Sequence, residues 1–122
     1  MAYIAGRVNE HLEALVTVHF LAGREVECLL DTGFSGSLVL PASLVTQLEL
    51  PVFGHETNLR TIGGRSMSAD LALAQINWLG EVRSVVVIVE EKFLIGTQLL
   101  DDARLIIDYR ARTLTIENGE PF

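Results

Sequence analysis

Apolar and polar residues alternate along most of the chain with a period of two, the spacing of strands that bury one face. Residues 3–8 read as a first strand, and residues 12–20 (LEALVTVHF), rich in β-branched and aromatic side chains, as a second. Leu21-Ala22-Gly23 forms a hairpin turn into residues 24–30 (REVECLL), which alternate and then end in two consecutive leucines. Asp31-Thr32-Gly33-Phe34-Ser35-Gly36 is a loop of turn-forming residues, after which residues 37–40 resume as a short strand. Residues 41–48 (PASLVTQL) break the period. Pro41 suits a first helical turn, Leu44, Val45 and Leu48 share a helical face, and Pro51 is expected to end the helix.

Residues 56–62 and 65–78 flank Gly63-Gly64, which reads as a hairpin tip, and Leu79-Gly80 breaks the second arm. Residues 81–90 (EVRSVVVIVE) carry an apolar run expected of a strand buried on both faces. A short apolar stretch, residues 93–95, stops at Gly96, and residues 97–102 (TQLLDD) predict a short helix with Thr97 near its cap. Residues 104–109 and 113–117 form a final hairpin through Arg110-Ala111-Arg112, and residues 118–122 read as a loose tail. The pattern predicts one all-β domain over residues 1–122, a small barrel with one or two short helices.

Composition narrows the possibilities. A chain of 122 residues that is 49% hydrophobic and only 20% charged can bury a true core within one domain. Aromatics make up 7%, so Val, Leu and Ile must fill that core, and the apolar surplus points to a buried subunit interface. Sixteen acidic residues against nine basic ones give a net charge of −7, which opposes binding to nucleic acid or to anionic lipid. The single cysteine, Cys28, excludes an intrachain disulfide and a four-thiolate zinc site. No signal peptide or membrane-spanning run is legible, so a reduced, cytoplasmic location is the expectation.

One stretch carries chemistry. Asp31 directly follows Leu29 and Leu30 at the end of an apolar strand. A carboxylate there is costly unless the local chain supplies hydrogen-bond donors, and Thr32, Ser35 and the N–H groups around Gly33 are placed to do so. Downstream come the glycine-tipped hairpin, then Leu94-Ile95-Gly96 leading into the amphipathic TQLL turn. In this order the motifs resemble the retropepsin-like aspartic proteases (clan AA), most of all their small single-domain prokaryotic members, over residues 12–117.

That resemblance implies a closed retropepsin-like acid protease barrel with one lobe per chain. It also implies an aspartic endopeptidase that needs no metal or organic cofactor. Such enzymes pair two carboxylates, which share one proton and activate a water. This chain has a single Asp-Thr-Gly, so a second Asp31 must come from a second copy across a two-fold axis, and the expected partners are a homodimer mate and an extended peptide or unfolded protein. By the same resemblance Asp31, Thr32 and Gly33 are the catalytic residues: Thr32 would bond across the axis and Gly33 would admit the substrate backbone. The hairpin would be a flap, with Ile62, Gly63, Gly64, Arg65 and Met67 near the substrate. Gly96 would let its strand pass close behind the Asp31 loop, with Ile95 before it.

The chain departs from the family pattern at three positions. Phe34 stands where Ala or Ser is usual, so it is expected to narrow or floor the cleft. Retroviral members carry Asp at the position of Ser35 and Arg at that of Thr97, joined as an ion pair. Here Ser35 and Thr97 are read as a neutral replacement, and losing both charges together leaves neither unpaired. His11, His19 and His55 lack metal-ligand spacing, and Cys28 has no histidine close in sequence to activate it. A competing reading is a non-catalytic dimeric barrel that keeps the fold as an interaction module. The intact Asp31-Thr32-Gly33 favours the enzyme.

Overall fold

The computed structural model describes residues 2–60 and 66–119. The strands are β1 (Tyr3–Val8), β2 (Ala14–Phe20), β3 (Glu25–Leu30), β4 (Leu38–Leu40), β5 (Val52–Arg60), β6 (Ser66–Trp78), β7 (Glu81–Val89), β8 (Leu94–Ile95), β9 (Arg104–Asp108) and β10 (Thr113–Glu117). Among the described residues one helix, α1 (Ala42–Gln47), follows β4, and a single 3-10 turn, Thr97–Leu100, follows β8. All ten strands join one sheet in the order β5-β6-β7-β4-β8-β3-β2-β1-β10-β9. A short second pairing, His19 with Asn77 and Phe20 with Ile76, ties β2 to β6 and curls the sheet on itself. The all-β expectation holds, but closure is partial: β5 and β9 stand at the two ends of the strand order.

Alternation builds the core. Ala14, Val16, Val18 and Phe20 point inward from β2, Cys28 and Leu30 from β3, and Ala72, Ala74, Ile76 and Trp78 from β6. Burying each large aliphatic side chain contributes roughly 1.5–3 kcal/mol, and these rows do so without interruption. The indole N–H of Trp78 donates to the Leu99 carbonyl at 2.9 Å, so the largest core side chain leaves no polar group unpaired.

Three expectations need correction. Residues 81–90 are not buried on both faces: Val85 and Val87 are inside, but Val82 is 59% and Val86 41% exposed. The apolar run misled because an exposed valine and a buried one look alike in sequence. The helix ends before Pro51. Glu49 takes a positive φ of 54°, the Glu49 N–H bonds the Thr46 carbonyl and the Leu50 N–H bonds that of Val45, a self-contained C-terminal cap. Thr97 does stand near its cap as expected: it is the first residue of the 3-10 turn, after Gly96 at the cap position, with no side-chain cap. Asn118 is not loose: its side-chain oxygen accepts the Ala2 N–H at 3.0 Å, and its own N–H returns to the Ala2 carbonyl.

No helix among the described residues is long and apolar enough to cross a membrane.

Candidate active site

Asp31 sits where three strands converge. β3 enters the loop and β4 leaves it, and the two-residue β8 runs between them, parallel to β3 and antiparallel to β4. The Asp31 N–H donates to the Ile95 carbonyl at 2.9 Å, which fixes the root of the catalytic candidate to β8. Within the loop, Asp31 Oδ1 accepts the Gly33 N–H at 2.9 Å, and the Phe34 N–H closes a turn onto the Asp31 carbonyl at 3.1 Å. The predicted donor role of the Gly33 backbone is therefore realised. The other carboxylate oxygen, Oδ2, is buried and has no hydrogen-bond partner among the described residues. Thr32 and Gly33 beside it are exposed.

The back of the loop is clamped by the segment after β8. The Gly96 N–H donates to the Ser37 carbonyl at 2.9 Å, the Thr97 N–H to the Phe34 carbonyl at 2.8 Å and the Gln98 N–H to the Gly36 carbonyl at 3.1 Å. Thr97 adds its hydroxyl to the same Phe34 carbonyl at 3.3 Å. Thr97 thus serves a backbone carbonyl, and among the described residues no hydrogen bond joins it to the exposed Ser35 side chain. The half-buried Phe34 ring lies over Gly36 and Gly96. A Cβ on Gly96 would collide with the Gly36 carbonyl oxygen and lie 2.7 Å from that of Phe34. Only glycine permits this approach. Ile95, fully buried, anchors the clamp in the core.

Ile62, Gly63, Gly64 and Arg65 lie outside the described residues. Met67 belongs to β6 and pairs through its backbone with Leu59, so the β5–β6 arms form an antiparallel hairpin as expected. Across those arms His55 Nδ1 and Asp70 Oδ1 approach to 2.9 Å. Among the described residues no three of His, Cys, Asp and Glu gather as metal ligands.

Cys28, two residues before Leu30 on β3, is fully buried, and burial with the nearby Glu27 charge pushes its thiol up to about 12. It remains a thiol at neutral pH and is no nucleophile. On the outer surface Arg7 makes a bidentate pair with Glu27 at 2.8 and 2.9 Å. The hydrogen bond from Arg7 lowers the Glu27 carboxyl, and the reciprocal bond raises the guanidinium.

A model of the aspartyl protease family matches residues 16–99, which take in the Asp31 loop, the β5–β6 hairpin and the clamp behind the loop. The chain belongs to the aspartyl protease family. Among solved structures, the EIAV protease complexed with the inhibitor HBY-793 aligns with a TM-score of 0.61 at 20% identity, covering 77% of this chain and 90% of that one. The likeness establishes a shared retropepsin-like fold. No curated protein sequence matches the chain. Sequence reasoning missed the partners that join the loop to the turn behind it. The hydroxyl of Ser37 donates to Gln98 Oε1 at 2.9 Å, and Ser37 is only 5% exposed. Two polar residues so far apart in sequence carry no signal of mutual contact until the fold is known.

Proposed function

We propose that this chain is an aspartic endopeptidase that works as a homodimer, with Asp31 of each copy forming a two-carboxylate centre. The observation that carries this reading is the asymmetry of the Asp31 carboxylate. Oδ1 is held by its own loop, whereas Oδ2 is buried and lacks a partner among the described residues. A buried oxygen of this kind costs free energy unless another group meets it. In the proposed dimer a second Asp31 sharing a proton, or a water between the two, is that group. Because Oδ2 is covered in the single chain, the loop has to shift on pairing to admit it.

In the proposed reaction one carboxylate takes a proton from water as the water oxygen attacks the peptide carbonyl. The other carboxyl gives its proton to the carbonyl oxygen, producing a neutral tetrahedral diol. In collapse the carboxyl that took the water proton gives it to the nitrogen, and the C–N bond breaks. The other carboxylate takes a proton from a diol hydroxyl, which releases the acid and the amine and returns the carboxyls to their starting state. The exposed Thr32 and Gly33 flank the carboxylate, where Thr32 would bond across the dimer axis and Gly33 would leave room for an extended substrate backbone. The β5–β6 hairpin would act as the flap, with Ile62, Gly63, Gly64, Arg65 and Met67 toward the peptide. Phe34, with its ring over Gly36 and Gly96, would act on the cleft by fixing the loop, and Ser35, Ile95, Gly96 and Thr97 would support it. A cytoplasmic location fits an enzyme whose one cysteine stays reduced.

The test is peptidase activity of wild type and Asp31→Asn on a peptide library from about pH 3 to 8, with a statine-type inhibitor as control. The expected result is a bell-shaped profile, abolished by the substitution and by the inhibitor. Equal cleavage by both proteins would remove Asp31 from the mechanism.

A further inference from the structure

We propose that the cavity behind the Asp31 loop binds a small carboxylate, with the Arg83 guanidinium as its anchor. Arg83 pairs in register with Ile76, which is fully buried, and it shares the inward-facing side of β7 with Val85 and Val87. A guanidinium on the core face of a strand normally has an acidic partner. Arg7 and Arg104 have theirs in Glu27 and Glu117, yet the half-buried Arg83 has no ion pair or side-chain hydrogen bond among the described residues.

Arg83 instead lines a cavity of about 360 Å³ shared with Ser84 of β7, Ser37 of the loop, and Gln98, Leu99 and Asp101 of the turn. The volume suits a molecule of amino-acid size rather than a long chain. Its polar groups are mainly donors. The Ser37 hydroxyl occupies Gln98 Oε1, which leaves the Gln98 amide N–H groups to donate. A planar guanidinium fork with a second amide donor matches the two oxygens of a carboxylate. The Asp101 carboxylate at the same cavity opposes a dianion, which favours a carboxylate over inorganic phosphate. Ser37 and Gln98 also hold the back of the Asp31 loop through their backbones, so the site adjoins the proposed catalytic loop without including Asp31.

The site can be tested by titrating the full chain with N-acetylglycine while following backbone amide resonances, with inorganic phosphate and glycinamide as comparisons. N-acetylglycine is expected to shift the Ser37, Ser84 and Gln98 amides saturably, and glycinamide to leave them unmoved. Arg83→Gln is expected to weaken the affinity at least tenfold, Gln98→Ala severalfold, and Asp101→Asn to tighten it severalfold. The last two substitutions fall on exposed turn residues, so they decide the matter even if the Arg83 variant does not fold. No saturable shift, an affinity unchanged in all three variants, or tighter binding of phosphate would overturn the proposal.

Discussion

The two sides of the Asp31 loop differ in how completely the chain finishes them. Behind the loop, the carbonyls of Phe34, Gly36 and Ser37 are all met by N–H groups of residues 96–98, and the Phe34 ring packs over two glycines. In front, Thr32 and Gly33 face outward, while the Asp31 Oδ2 atom is covered and has no partner among the described residues. The fold therefore places its local order behind the carboxylate and leaves the second carboxylate oxygen without a partner of its own. Rigid support behind the loop holds the Asp31 backbone, while one carboxylate oxygen stays covered and unpaired.

The largest expected effect comes from breaking the closed side. Gly96→Ala should cost about 3 kcal/mol in chemical denaturation, because its methyl meets backbone oxygens that cannot move aside. A near-neutral substitution would show that the clamp is looser than its geometry. The next effect concerns the strand beneath the loop. The Cys28 thiol is raised in the folded state from 9.0 to about 12, so the folded chain keeps its proton at pH values where the unfolded chain loses it. That contribution is intact below pH 9.0 and is lost as pH rises toward about 12. Stability should fall across that window by about 1.4 kcal/mol per pH unit from this group alone. Cys28→Ala should flatten the slope, and an identical alkaline slope in the variant would mean that water reaches the strand. The smallest effect is expected at Asp31 itself. Asp31→Asn keeps an oxygen for the Gly33 N–H and removes a half-buried charge, so the variant should be as stable as wild type. A loss of more than about 1 kcal/mol would make the carboxylate a structural group.

Much of this contrast was legible in the sequence, for identifiable reasons. Period-two alternation located the strands, since side chains of a half-buried strand must alternate, and the Asp31-Thr32-Gly33 and Ile95-Gly96 motifs named the two segments that pack together. Burial on the outer face of β7 was not legible, because Val82 and Val86 match Val85 and Val87 in chemistry and only the neighbouring strands decide which pair is covered. The early helix stop was hidden because Glu49 adopts a conformation usually left to glycine. The Ser37–Gln98 bond and the placement of Arg83 depend on the crossing of β4, β7 and the 3-10 turn, a tertiary fact that no local pattern encodes.

The central claim, that catalysis requires Asp31 from two chains, is tested most directly by mixing. Wild type and Asp31→Asn are equilibrated at fixed total concentration above the dimer dissociation constant, and peptidase activity is followed against the wild-type fraction. If the centre spans two chains, activity falls as the square of that fraction, to about one quarter at an equal mixture. Activity that falls in simple proportion, to about one half, would mean that one Asp31 suffices and would contradict the account.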